Sequence, residues 1–210
     1  MNTNNRGSKR ILSITLKRMQ DTDADTSYYG EYSDTAGPYA IVQENARGEY
    51  AGQFVDSLPC ECGHPEDDHH SEFGTCHECL DLECETFNRA TIERGREYRY
   101  FNPCAENYKG EPDADIRKYC LQDYERMRDL ERGEWCYIGI KAVADVDLTG
   151  GLIQRIASGG IWGIESDSDP SDFRSIEREQ LDDLRDELHA IGFSKRAIAA
   201  AFKNVERKES

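Results

Sequence analysis

The sequence predicts an α+β fold, a mainly antiparallel sheet packed against about three helices and interrupted by a small Cys/His-rich insertion. Three observations carry this. Trp135–Asp169 opens with strict apolar/polar alternation and then breaks twice on glycine pairs. Three other segments repeat apolar residues at helical spacing. Five of the eight cysteines crowd into one short polar segment between Cys60 and Cys84.

Residues 1–9 are polar, and Ile11–Leu16 alternates around Leu12, Ile14 and Leu16, the pattern of a strand feeding the main sheet. Asp21–Tyr32 reads as a polar loop with three tyrosines, and Tyr39–Val42 as a short edge strand. Asn45–Leu58 has too weak a period to assign. Tyr98, Tyr100 and Phe101 before Asn102-Pro103 look like a strand that stops at proline. Asp113 then caps a helix in which Ile116, Cys120, Tyr124, Met127 and Leu130 share a face, and Gly133 ends it.

In the organising stretch, Cys136, Ile138, Ile140, Ala142, Ala144, Val146 and Leu148 fall on one face, leaving Tyr137, Lys141, Asp145 and Asp147 on the other. Thr149-Gly150-Gly151 is turn chemistry, Leu152–Ala157 a returning strand, and Ile161–Ile164 a short third one. Pro170-Ser171 opens a second helix lined by Phe173, Ile176, Leu181, Leu184, Leu188 and Ile191, with Gly192-Phe193 as a Schellman-type stop. Ser194 caps a last helix through Ile198, Ala201, Phe202 and Val205. Residues 1–58 are therefore assigned to the N-terminal strands of the main domain, 59–86 to the insertion and 87–210 to the remainder. No internal repeat is visible.

Composition narrows the function classes. A chain of 210 residues suits one domain carrying a small insertion. No apolar run approaches the roughly 20 residues of a membrane span, and no signal-peptide core opens the chain, so a soluble, cytoplasmic protein is expected. The formal net charge of −16 argues against broad nucleic-acid binding, since phosphate contacts need basic surface. It is compatible with a solubilising surface, with a basic protein partner, with charge mimicry of a nucleic acid, or with salt adaptation.

The Cys/His segment is where the sequence shows chemistry. It reads Cys60-Glu-Cys62-Gly-His64, then His69-His70, then Cys76-His-Glu-Cys79, then Cys84. Zinc favours thiolate and imidazole in a tetrahedron, supplied as two close pairs joined by a loop. Cys76 and Cys79 make one such pair, and the Cys-x-Cys-Gly-His turn makes the other half, with Gly63 allowing the tight backbone. Clustering favours a metal over a disulfide scaffold, which would distribute its cysteines. Cys62, His69, Cys76 and Cys79 are the first-choice ligands for Zn2+, with Cys60, His64 and Cys84 as alternates or part of a second site. A thiolate-rich set with ligands to spare reads as a closed structural zinc knuckle, not a catalytic centre with an open position.

Other constellations are weaker. Asp21, Asp23 and Asp25 resemble the start of a calcium loop, but Thr26 and Tyr32 stand where glycine and glutamate are needed. Glu165, Asp167 and Asp169 could chelate a divalent ion from one edge, although Asp-Pro-Ser equally prepares the next helix. Trp162, among glycines, reads as a core residue in preference to a partner contact. The hairpin at Gly192-Phe193-Ser194 suggests a helix-turn-helix or a ubiquitin-associated-type pair, both of which lack their third helix here. Cys120 and Cys136 fall on apolar faces and read as core residues.

Two parts of the chain carry a resemblance. Tyr98-Arg-Tyr-Phe-Asn-Pro103, Trp135-Cys-Tyr-Ile-Gly-Ile-Lys-Ala142, Ser158-Gly-Gly-Ile-Trp-Gly-Ile-Glu-Ser-Asp-Ser168 and Ala201-Phe-Lys-Asn-Val205, with Tyr29-Gly-Glu-Tyr-Ser33, resemble an uncharacterised family of tailed-phage and prophage proteins. The resemblance implies a mobile-element setting and no particular reaction. The segment 60–84 is similar to small zinc modules of bacterial and phage proteins. Together these predict a phage accessory protein acting by macromolecular binding, with a protein partner from host or phage and a structural zinc. An acidic decoy of a DNA-handling host enzyme and a metal-dependent enzyme acting on nucleic acid are the alternatives.

Overall fold

The computed structural model describes residues 9–43, 50–59, 98–148 and 151–209. In chain order its strands are β1 (Arg10–Gln20), β2 (Gly30–Ser33), β3 (Ile41–Val42), β4 (Tyr100–Pro103), β5 (Tyr137–Asp147), β6 (Ile153–Ala157), β7 (Ile161–Glu165) and β8 (Val205–Glu209). Its helices are α1 (Asp113–Glu131), α2 (Pro170–Ala190) and α3 (Lys195–Ala201), with 3-10 turns at Val55–Ser57 and Ala105–Tyr108. The class is α+β, as the periodicities predict. The chain divides into two units, one of Met1–Asp25 with Arg132–Ser210, the other of Thr26–Glu131.

The first unit is built on β5. It pairs antiparallel with β1 along one edge, and with β6 and β7 in succession along the other. β8 adds parallel to β1, the one parallel pair among the described residues. Ile140, Ala142, Ala144 and Val146 are wholly buried on one face, opposite Leu16 and Ile14 across the β1 pairing. The alternation predicted for β5 thus forms the core floor. Its two alanines leave room for the helical layer, whose Phe173, Leu184, Leu188, Phe193 and Ile198 complete the cluster.

α2 starts and stops on its sequence signals. The Asp169 side chain accepts from Ser171 N, with Pro170 as the first helical residue. At the other end Phe193 N donates to Leu188 O and Gly192 N to His189 O, with Gly192 at φ +92, a Schellman motif. Two polar side chains are buried under α2. The Glu177 carboxylate accepts from Arg18 Nη2 of β1 at 2.8 Å and from Arg207 of β8 at 3.4 Å, fastening the helix to both strands. Gln180 Oε1 accepts from Ser158 Oγ at 2.7 Å and from Gly160 N at 2.9 Å, fastening the β6–β7 turn.

The second unit has its own sheet, in the order β2-β4-β3, all antiparallel. Phe101 is wholly buried at its centre, opposite Tyr32 on one neighbour and Ile41 on the other. Cys120, Tyr124 and Met127 of α1 pack on it with Phe54. At Gly30 (φ +144) β2 approaches β4 so closely that a Cβ would strike the Asn102 carbonyl and the Phe101 ring.

Three expectations change. Among the described residues there are two sheets, not one, because the strand at Tyr98–Phe101 pairs with both the Gly30–Ser33 and the Tyr39–Val42 segments. In β1 the register shifts between Ile11 and Ser13, a bulge that turns Leu12 outward and brings Ile11 against the core. The last helix ends at Ala201, and Val205, expected on it, opens β8 instead. The insertion expected at 59–86 lies, apart from its first residue, outside the described residues.

Candidate functional site

The face of the five-stranded sheet opposite α2 carries an exposed tryptophan and two half-buried lysines beside the buried Thr15 and Val143. In β7, Ile161 and Ile164 pack toward the core, opposite Ile140 and Ile138, and the register shifts between these pairs. Gly163, at φ +71, absorbs the irregularity. Trp162 therefore emerges on the other face with 47% of its surface exposed. The expectation of a core tryptophan is corrected, because the bulge turns this side chain away from the apolar layer.

Trp162 is exposed yet held. Its indole lies against Gly139 of β5 so closely that any Cβ there would clash with the ring. On one side of it Gly160 N donates to the buried Gln180 Oε1, and on the other Gly163 N donates to Asp21 Oδ2 at 2.9 Å. Lys141 Nζ stands 6.0 Å from the ring centroid. Lys17 of β1 is directly opposite Lys141 in the antiparallel register.

Like charges directly opposed on a sheet are unfavourable. Every other basic side chain on these strands is matched. Arg10 pairs with Asp147, Arg18 and Arg207 with Glu177, Arg155 with Asp145 and Lys208 with Glu206, all between 2.8 and 3.4 Å. Lys17 and Lys141 have no carboxylate partner among the described residues. In a chain with 42 acidic residues, two adjacent unmatched lysines beside a fixed indole form a local cationic, aromatic surface.

The second unit holds a buried titratable pair. Asp123 of α1 accepts a 2.8 Å hydrogen bond from Tyr108 Oη. Burial raises the Asp123 carboxyl to about 6, against the lowering effect of that bond. Burial, followed by the neighbouring Asp123 charge, pushes the Cys120 thiol up to about 11, so it is a poor nucleophile. Asp123 and Cys120 are both closed off from solvent, and the pair reads as core structure. Arg117 is similarly structural: it binds the Asp56 carboxylate through both terminal nitrogens and Asp113 through Nε, over the Phe54 ring.

The residues predicted from sequence divide cleanly. Cys60, Cys62, His64, His69, Cys76, Cys79 and Cys84 all lie outside the described residues. Among the described residues, no cluster of three or more His, Cys, Asp or Glu is arranged to hold a metal. Asp169 serves as the α2 N-cap, where its bonds to Ser171 lower its carboxyl below the usual range. Asp21 accepts from Asp23 N and Gly163 N, so it shapes a turn and braces the Trp162 strand. The alternation places Lys141 on the polar face of its strand but does not bring Lys17 beside it. Their common face needs the β1–β5 register, which period-two patterning alone does not supply.

Among the described residues no helix is long and apolar enough to cross a membrane. Comparison with known protein families, curated proteins and solved structures finds no match to the chain.

Proposed function

We propose that this chain acts by binding a macromolecule, in the setting of a phage or other mobile element and in the host cytoplasm, and that Trp162 is the centre of the contact surface. The observation that supports this most directly is an exposed indole held by backbone and buried side chains. Tryptophan is enriched among residues that dominate interface energetics, and a side chain ordered before binding loses little entropy on contact. A structural zinc bound by ligands from Cys60, Cys62, His64, His69, Cys76, Cys79 and Cys84 belongs to the same proposal. It rests on ligand spacing. Elemental analysis of protein purified without chelators is expected to give near-integral zinc.

The net charge of −16 supports a second reading, an acidic decoy that occupies a basic host protein. Capture from host lysate by wild type and by Trp162→Ala separates the two. The platform reading expects the variant to fold and to lose the captured partner. Unchanged capture by the variant, with release of a basic protein as salt rises, favours the decoy.

A further inference from the structure

We infer that Trp162, Lys141 and Lys17 form a recognition site for single-stranded nucleic acid, one base stacking on the indole and flanking phosphates meeting the two ammonium groups. The inference rests on the binding reading above and names the chemistry of its partner. Three features of the site point to this occupant. The indole packs against Gly139, where a Cβ would clash with three of its ring atoms, yet 47% of its surface stays open to a stacking base. Stacking on a fixed aromatic tolerates any base. The two lysines are the basic side chains of this sheet without a carboxylate partner among the described residues, and they adjoin the ring at 6.0 Å and across one strand pair. Lysine meets phosphate as a point charge, whereas planar carboxylates favour the arginine fork. Every arginine on these strands already pairs with a carboxylate.

The overall charge limits the footprint. A long strand would leave the cationic patch and meet the acidic remainder of a −16 chain, so only a few nucleotides are engaged. Two phosphate contacts predict a shallow salt dependence, a slope of about −1.4 in log affinity against log salt, where broad nucleic-acid binders fall much more steeply.

The test uses the full-length protein and fluorescently labelled oligothymidylate, read by anisotropy at low salt. Wild type is expected to bind with that shallow slope. Trp162→Ala is expected to weaken binding by roughly 5- to 150-fold, the value of one stacked base, with Trp162→Phe recovering part of the loss. Lys17→Glu with Lys141→Glu should abolish binding, and circular dichroism should report all variants folded. Two outcomes overturn the inference: no oligonucleotide binding by wild type, or binding that these substitutions leave unchanged. If oligonucleotides fail while Trp162→Ala loses a nuclease-resistant protein captured from lysate, the ligand is a protein and the platform reading survives. If Trp162→Ala keeps all captured material, the platform reading fails as well.

Discussion

At Gly139 one hydrogen atom decides where an indole lies. Because a Cβ there would clash with the Trp162 ring, Gly139→Ala must displace either the ring or β7. Overpacking of this kind costs about 1–3 kcal/mol, and urea unfolding is expected to show a loss in that range together with weakened binding. An unchanged midpoint would mean the ring is free to move. Asp123 supports a different residue-scale prediction. Its carboxyl is raised from 3.8 to about 6 by burial, so the folded protein holds the proton more tightly than the unfolded chain. The stability from this group is full below about pH 4 and is lost as pH rises through 6. Asp123→Asn, which still accepts from Tyr108, is expected to flatten the pH dependence of the urea midpoint over that window and to raise stability at pH 7 by about 1–3 kcal/mol. A midpoint profile identical to wild type would contradict the assignment. Neither residue declared itself in the sequence. Gly139 sat unremarked within an alternating strand, and Asp123 was one acid among many until its helix was packed on Phe101.

At the scale of elements, α2 is both cover and clamp. Gln180 is almost wholly buried and accepts from Ser158 Oγ and Gly160 N, so it fixes the turn that leads into Trp162. Gln180→Ala leaves Gly160 N without its acceptor and Ser158 Oγ with only the longer 3.4 Å bond to Ala142 O. A loss of about 1–3 kcal/mol is expected, read by thermal unfolding, with broadened NMR signals for 158–162. Sharp, unshifted signals would remove Gln180 from the account. α2 itself, with its Asp169 cap and Gly192 stop, was legible because caps and stops are local chemistry. β5 was legible because eleven residues keep one period. The bulge at Leu12 and the second sheet were not. A bulge breaks the alternation it must be read against, and β2, β3 and β4 are two to four residues long with partners far away in sequence. Pairing over such distances leaves no periodic trace.

For the whole molecule, composition predicts an acidic body and the sheet adds a local exception to it. Lys17 and Lys141 lie about 120 residues apart in the chain, and the β1–β5 register alone makes them neighbours beside Trp162. That juxtaposition is why the site could not be read from the sequence, whereas the Cys/His segment could be, its seven candidate ligands falling within 25 consecutive residues. The chain has two tryptophans, Trp135 at 3% exposure and Trp162 at 47%, so its fluorescence separates them. Acrylamide quenching of wild type and Trp162→Phe, each with and without the material that wild type captures from host lysate, is the most direct test of the central claim. One quenchable component is predicted, absent in the variant and shielded when the captured partner is bound. A partner that binds while leaving the Trp162 component fully quenchable would contradict it.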